Sequence, residues 1–369
     1  MLKKFAVENF KNFQERIILD LSDTNKYTFN SQLISNNIAQ DIVIFGKNGS
    51  GKSNLCYAIM DIINNLTNYD KTIPDIHPMV NLNSDKDFAS FHYEFAFSDH
   101  TLTYDYKKNA KNEFLIETLK IDHEEYIHYN YQDDCGFTKL PGTETLNTKL
   151  DTKTLSFVKY VAANSVLQDQ EINNVFLEFM DYVKRMLMFY SLKENKYYGY
   201  TIGSEDIMDK IVRMGKLKDF EKFLCSLELP CQLESEMING RHEVYVIFTH
   251  GKARFYDIAS TGTKALTLFY YWLIQASQAS LIIMDEFDAF YHYELSETIV
   301  KTILQSVKGQ AIFTSHNTGL MNNTLFRPDC LYILSKKGLH PLSHLTDKEL
   351  REAHNLQKMY KAGAFDEEG

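Results

Sequence analysis

The run Gly46-Lys47-Asn48-Gly49-Ser50-Gly51-Lys52-Ser53 carries the spacing G-x-x-x-x-G-K-S in full. Its chemistry is anion binding. Glycines let the backbone fold tightly enough for successive N–H groups to surround phosphates. Lys52 can then reach the β- and γ-phosphates of a nucleoside triphosphate, and the Ser53 hydroxyl can bind Mg²⁺. A chance glycine turn would meet these four constrained positions in roughly one per cent of chains of this length. The nucleotide reading therefore prevails.

A second group lies far downstream. Leu281-Ile282-Ile283-Met284-Asp285-Glu286 reads as a buried strand ending in two acids. Placed next to the phosphate strand, Asp285 can hold Mg²⁺, usually through water, while Glu286 orients and deprotonates an attacking water. Gln310-Ala311-Ile312-Phe313-Thr314-Ser315-His316-Asn317 is another apolar strand closed by polar groups. A histidine there can touch the γ-phosphate and sense its loss, although a lone His316 would more often cap a loop. Ser260-Thr261-Gly262-Thr263-Lys264 opens a helix; a hydroxyl and a glycine there can bind an anion, but taken alone the plain N-cap reading wins.

These groups need elements to position them. Asp41–Phe45 is a short apolar run feeding the glycine loop, and Ser53–Asn65 carries apolar residues at helical spacing. Strands are expected at Lys4–Asn9 and Arg16–Leu21, and an antiparallel sheet between Phe88 and Ile121. From about Leu155 to Leu229 the pattern predicts helices, including one run from Val175 to Tyr190, interrupted by the tyrosine-rich stretch Tyr190–Tyr200. Strands return at Glu243–Thr249 and Ala253–Ile258, followed by a helix over Thr263–Gln278. Beyond the acidic strand come a helix over Glu294–Ser306, the Gln310–Thr314 strand, a strand at Cys330–Leu334 and a helix over Asp347–Tyr360. Alternating strands and helices in this half predict a mainly parallel sheet.

Composition sets the outer limits. The chain has 369 residues, 44% hydrophobic and 24% charged, as expected of a globular protein. Its 49 acidic against 39 basic residues, a net charge of -10, argue against a wholly basic nucleic-acid-coating protein. The 5 cysteines contain no C-x-x-C pair, so neither a disulfide framework nor a zinc site is expected, and a reducing cytoplasm fits. No signal peptide and no apolar run of membrane-spanning length is read from the sequence, so no membrane association is expected.

The order of phosphate loop, Ser-x-Gly helix start, apolar strand with Asp-Glu and then Thr-Ser-His resembles the ABC-type ATPase head of the SMC/RecF/OLD group. The opening Val7-Glu8-Asn9-Phe10-Lys11-Asn12-Phe13 is similar to that group's N-terminal strand and turn. The resemblance implies an α/β P-loop head with a mixed central sheet, an antiparallel β subdomain and an inserted helical lobe. The corresponding divisions are 1–125, 126–240 and 241–369. It further implies that Ser260-Thr261-Gly262 stands as the signature loop, touching the γ-phosphate of ATP held by a second copy. Asp288 takes the D-loop position, His316 the switch-histidine position, and Lys11 contacts phosphate. The Q-loop glutamine has no evident counterpart.

More narrowly, Met284–His292 and Leu350–Asp366 resemble the ATPase components of two-gene bacterial abortive-infection and anti-phage modules. These are Rlo/AbiL-like ATPases of the AAA_15/AAA_21 type, with PARIS and Septu ATPases more distant. The implied function is an ATP-dependent sensor that dimerises on ATP and controls a separate effector, a nuclease or toxin, in response to a phage-derived trigger or DNA. OLD-type nucleases carry a Toprim domain after the head, and no acid cluster of that kind is read between His316 and Gly369. A RecF/SMC-like DNA-repair head binding DNA through Lys184–Lys196 and Arg213–Lys222 is the alternative. A transporter ATPase is a poorer third.

Overall fold

Phe88–Phe97 alternates half-buried and buried residues along its whole length, so Ala89, Phe91, Tyr93, Phe95 and Phe97 share one covered face. That period of two makes it a one-sided strand. The computed structural model describes residues 1–68, 79–190, 196–199, 207–276, 278–289 and 293–365. Among the described residues, Phe88–Phe97 lies within a seven-stranded antiparallel sheet. Its order is Cys135–Thr138, Glu124–Asn130, Phe114–Ile121, His100–Asn109, Phe88–Phe97, Leu2–Glu8 and Ile17–Asp20.

A second seven-stranded sheet holds the nucleotide motifs. Its order is Lys196–Gly199, Met186–Tyr190, Leu281–Asp285, Gln310–Ser315, Asp41–Phe45, Leu331–Ser335 and Gly338–Pro341. The five inner strands run parallel and the two outer ones antiparallel. Asp41–Phe45, Leu281–Asp285 and Gln310–Ser315 are buried at every position, as strands covered on both faces must be. A third, three-stranded sheet joins Leu233–Ile238, Arg241–Phe248 and Gly251–Arg254.

The helix Lys52–Leu66 bridges the two large sheets. It is buried around most of its circumference, including Leu55, Cys56, Ile59, Asp61, Ile62 and Ile63. Toward the antiparallel sheet, Tyr93 Oη donates to the Ala58 carbonyl at 2.8 Å, and Tyr106 Oη to Asp61 Oδ2 at 2.7 Å. Lys108 Nζ reaches the same Asp61 oxygen at 2.8 Å, a fully buried ion pair. At the base of the middle parallel strand, the Gln310 amide accepts from Leu2 N at 2.7 Å and Tyr182 Oη at 2.8 Å, and donates to Leu2 O at 2.8 Å. Both sheets are thereby pinned to one register relative to the helix.

Several expectations need correcting. The helix expected to run to Tyr190 ends at Lys184, and Met186–Tyr190 is instead a strand paired in parallel with the acidic strand, Met186 opposite Leu281 and Tyr190 opposite Asp285. Met-Leu-Met-Phe-Tyr is a short apolar run whose periodicity cannot separate strand from buried helix. The decision is tertiary: Ser280 N donates to Arg185 O at 3.0 Å, fixing the chain break where the sheet begins. The antiparallel sheet runs on past Ile121 through Glu124–Asn130 to Cys135–Thr138. Ala253–Ile258 is split into the strand end at Arg254 and a helical turn, Phe255–Ile258; the C-terminal helix covers only Leu356–Lys361. Among the described residues no helix is long and apolar enough to cross a membrane.

Candidate nucleotide-binding and hydrolysis site

Three parallel strands deliver their C-terminal ends to one place: Phe45 into the glycine loop, Asp285 into Glu286, and Ser315 into His316. That edge is where open α/β sheets bind ligands. The order corrects one expectation. The acidic strand does not adjoin the phosphate strand; Gln310–Ser315 lies between them, pairing with both. Its polar end, Thr314-Ser315-His316, therefore stands at the centre of the site.

Gly46 opens the loop where no side chain fits. A Cβ there would lie 2.6 Å from Ser50 Oγ and 2.8 Å from the Leu334 carbonyl, closer than real Cβ contacts allow. Lys47, Asn48 and Gly49 are exposed at the crest, while Lys52 is buried beneath it. Lys52 Nζ donates to Gly46 O at 3.1 Å and lies 2.8 Å from His316 Nε2. An ammonium can only donate, so toward Lys52 the imidazole nitrogen accepts. Burial holds the Lys52 pKa below the ordinary lysine value, opposed by the nearby carboxylates of Glu286 and Asp285.

The chain of contacts continues. His316 Nε2 is 3.5 Å from Glu286 Oε1. Glu286 has φ 48, a left-handed backbone that strains a residue with a side chain. Its N–H is anchored to Thr314 Oγ1 at 2.8 Å, and the same hydroxyl donates to Asp285 Oδ1 at 2.7 Å. Burial raises the Asp285 pKa above the ordinary carboxylate range, opposed by hydrogen bonds from Thr314 and Ser53. Burial also raises that of Asp288, which accepts from the buried Ser315 hydroxyl at 2.5 Å.

The residues present fit a Mg²⁺-nucleotide. The Ser53 hydroxyl acts on the Asp285 carboxyl to lower its pKa, and a cation between them would relieve the cost of burying that charge. Ser50 Oγ is buried without a hydrogen-bond partner inside the phosphate loop, and the helix beginning at Lys52 offers its positive end to an anion.

Residues 42–322 match the family described as AAA_21, "AAA domain, putative AbiEii toxin, Type IV TA system". The chain belongs to this family. It is accordingly an α/β P-loop ATPase, and its AAA domain spans the phosphate loop, the acidic strand and His316. No curated protein matches the chain. Solved structures similar to it include the SMC head domain from Thermotoga maritima, at 15% identity over 92% of this chain and 98% of that one, TM-score 0.43. The Smc head bound to the C-winged helix domain of ScpA is similar at 13% identity over 92% and 96%, TM-score 0.48. A Smc head with a coiled coil and joint from Pyrococcus yayanosii is similar at 9% identity over 98% and 99%, TM-score 0.48.

Two expected site segments make local contacts of their own. Ser260 Oγ accepts from Thr263 N at 3.1 Å and Ser260 O from Lys264 N at 2.9 Å, so Ser260-Thr261-Gly262 caps its own helix. Ser260 and Thr261 are exposed. Lys11 lies with Nζ 6.0 Å from the centre of the Tyr57 ring, beside the helix that follows the loop. Phe290, Tyr291, His292 and Asp366, part of the narrower resemblance, lie outside the described residues, as does most of Tyr190–Tyr200. Two participants escaped the sequence reading. Thr314 was visible only as a polar end to an apolar strand, and Asn12, which touches the loop at Ser50, carried no signal beyond its place in Phe10–Phe13.

Proposed function

We propose that this chain is a Mg²⁺-dependent ATPase that works as a pair of heads and switches a separate effector in bacterial phage defence. The observation that carries the reading is the continuous chain Lys52–His316–Glu286, with Asp285 and Ser53 beside it. Lys52 binds the β/γ-phosphates, exchanging its contacts with Gly46 O and His316 for phosphate oxygens. Ser53 and Asp285 would hold Mg²⁺, which when bound supplies charge neutralisation at the phosphates. Glu286 orients a water and takes its proton; the water oxygen bonds to the γ-phosphorus as the bond to ADP breaks. His316 faces the γ-phosphate, where a ring N–H can donate to a phosphate oxygen once Lys52 has moved onto the phosphates.

Ser260 and Thr261 are exposed and Ser260 bonds within its own helix, which supports a role for Ser260-Thr261-Gly262 on the nucleotide of a second copy. The family description, naming an AbiEii toxin and a Type IV system, supports an abortive-infection setting. Three cations of the Arg213–Lys222 run are paired: Arg213 with Asp209 at 2.7 Å, Lys216 with Asp219 at 2.8 Å and Lys218 with Glu221 at 2.9 Å. This favours an effector-controlling role over direct DNA binding.

The test uses three variants. Glu286→Gln should bind ATP, accumulate as a dimer on a sizing column and hydrolyse at least a hundredfold more slowly than wild type. Lys52→Ala and Ser260→Arg should each be inactive alone but recover activity when mixed, because one composite site is then intact. No recovery on mixing would sink the paired-head reading; salt-dependent DNA binding by the isolated protein would favour the repair alternative.

A further inference from the structure

Asn12 joins the antiparallel sheet to the phosphate loop through one side-chain amide. Its Nδ2 donates to the Ser50 carbonyl at 3.1 Å, and its Oδ1 accepts from Asn54 Nδ2 at 2.7 Å. Ser50 is in the glycine loop and Asn54 in the first turn of the helix behind it. The contact with the loop is close. A Cβ on Gly51 would lie 2.4 Å from Asn12 Nδ2 and 2.7 Å from Oδ1, and Gly51 has φ 105. Only a glycine leaves room for the Asn12 amide and accepts that backbone without strain.

The turn carrying Asn12 is braced independently of the loop. Phe10 and Phe13 exchange backbone hydrogen bonds at 2.9 and 2.8 Å, and Lys11 N donates to Met79 O at 2.9 Å. Asn81 Nδ2 donates to Lys11 O at 2.7 Å, closing the brace from the other side. Asn9 and Lys11 both take left-handed backbone angles, φ 55 and φ 48, which hold the turn tight. Asn12 itself is exposed, so its amide is spent on the loop and the helix rather than on the core.

We propose that Asn12 is a positioning residue for nucleotide: it fixes the Ser50–Gly51 peptide so that the Gly51 N–H serves the phosphates. The peptide unit is planar and trans, so its C=O and N–H point in opposite directions. Holding the Ser50 oxygen toward Asn12 turns the Gly51 N–H to the opposite side, away from Asn12. Without that hold the peptide is free to flip, and a flipped carbonyl would present negative charge to the phosphates. The effect falls on binding, since Asn12 touches none of Asp285, Glu286 or His316 in the hydrogen bonds it makes. The inference rests on the nucleotide reading of this loop.

The test is titration of wild type, Asn12→Ala and Asn54→Ala with ATP and ADP, alongside steady-state hydrolysis and melting of nucleotide-free protein. Asn12→Ala should raise Kd for both nucleotides about five- to tenfold, the loss of roughly one hydrogen bond. KM should rise in step while kcat stays within about twofold, and Asn54→Ala should show a smaller loss in the same direction. Melting should be unchanged, as expected for an exposed side chain. Wild-type affinity in Asn12→Ala would overturn the inference alone, as would a fall in kcat at unchanged Kd. A melting loss that accounts for the weaker binding would also overturn it. Failure of the wild-type chain to bind ATP would overturn the nucleotide reading and this inference with it.

Discussion

The Thr314 hydroxyl donates to Asp285 Oδ1 at 2.7 Å and accepts the Glu286 backbone N–H at 2.8 Å. One fully buried side chain on the middle strand thus sets both acids of its neighbour. It also opposes the strain of Glu286, whose left-handed φ of 48 has no glycine to ease it. Thr314→Val keeps the shape and removes both bonds. We expect kcat to fall at least tenfold with ATP affinity nearly unchanged, and stability to drop by about 1–3 kcal/mol through the unpaired Glu286 N–H. Steady-state kinetics with a denaturant titration measure both; wild-type kcat in the valine variant would remove Thr314 from the mechanism.

Asp41 begins the phosphate strand, and burial pushes its carboxyl up to about 7. A carboxyl with a raised folded pKa favours the folded state in its neutral form. Its contribution is full below the unfolded value, about 4, and is lost as pH rises through about 7. Melting temperature of the nucleotide-free protein should therefore carry a downward slope from Asp41 across that interval. Asp41→Asn stays neutral, so its slope should be flatter and it should melt above wild type at alkaline pH. Parallel slopes in the two proteins would show that Asp41 is not the source.

The buried pair Lys108–Asp61, at 2.8 Å, ties the antiparallel sheet to the helix behind the phosphate loop. Lys108→Met leaves the Asp61 charge buried without its cation, a loss of about 3–5 kcal/mol. Adding Asp61→Asn removes that charge while keeping an acceptor for Tyr106 Oη, which bonds it at 2.7 Å. The double variant should regain at least half of the lost stability in urea unfolding. A double variant no more stable than the single one would refute the charge-burial account.

Local rules carried much of this protein. A glycine loop between a five-residue apolar strand and a helix needs no partner in space to be recognised, because its spacing is itself the phosphate-binding geometry. The alternation in Phe88–Phe97 announced a one-sided strand for the same reason: the period of two is a property of the backbone. Strand order was not local. Parallel neighbours are far apart in sequence, and nothing in Leu281–Asp285 says that Gln310–Ser315 will lie between it and Asp41–Phe45.

The same limit hid the strand Met186–Tyr190, whose five apolar residues suit a helix or a strand until a sheet edge is there to pair with. It also hid Thr314 and Asn12. A hydroxyl or an amide gains its role from the groups within 3 Å of it, and those arrive from other strands and turns. The sequence by itself marked Lys52, Ser53, Asp285 and Glu286 as candidates for nucleotide chemistry, since side-chain type and local spacing suffice for that. Only the tertiary structure decided that Lys52 faces His316, that Thr314 holds both acids, and that Ser260 caps its own helix, because hydrogen bonds depend on distances between residues far apart in the chain.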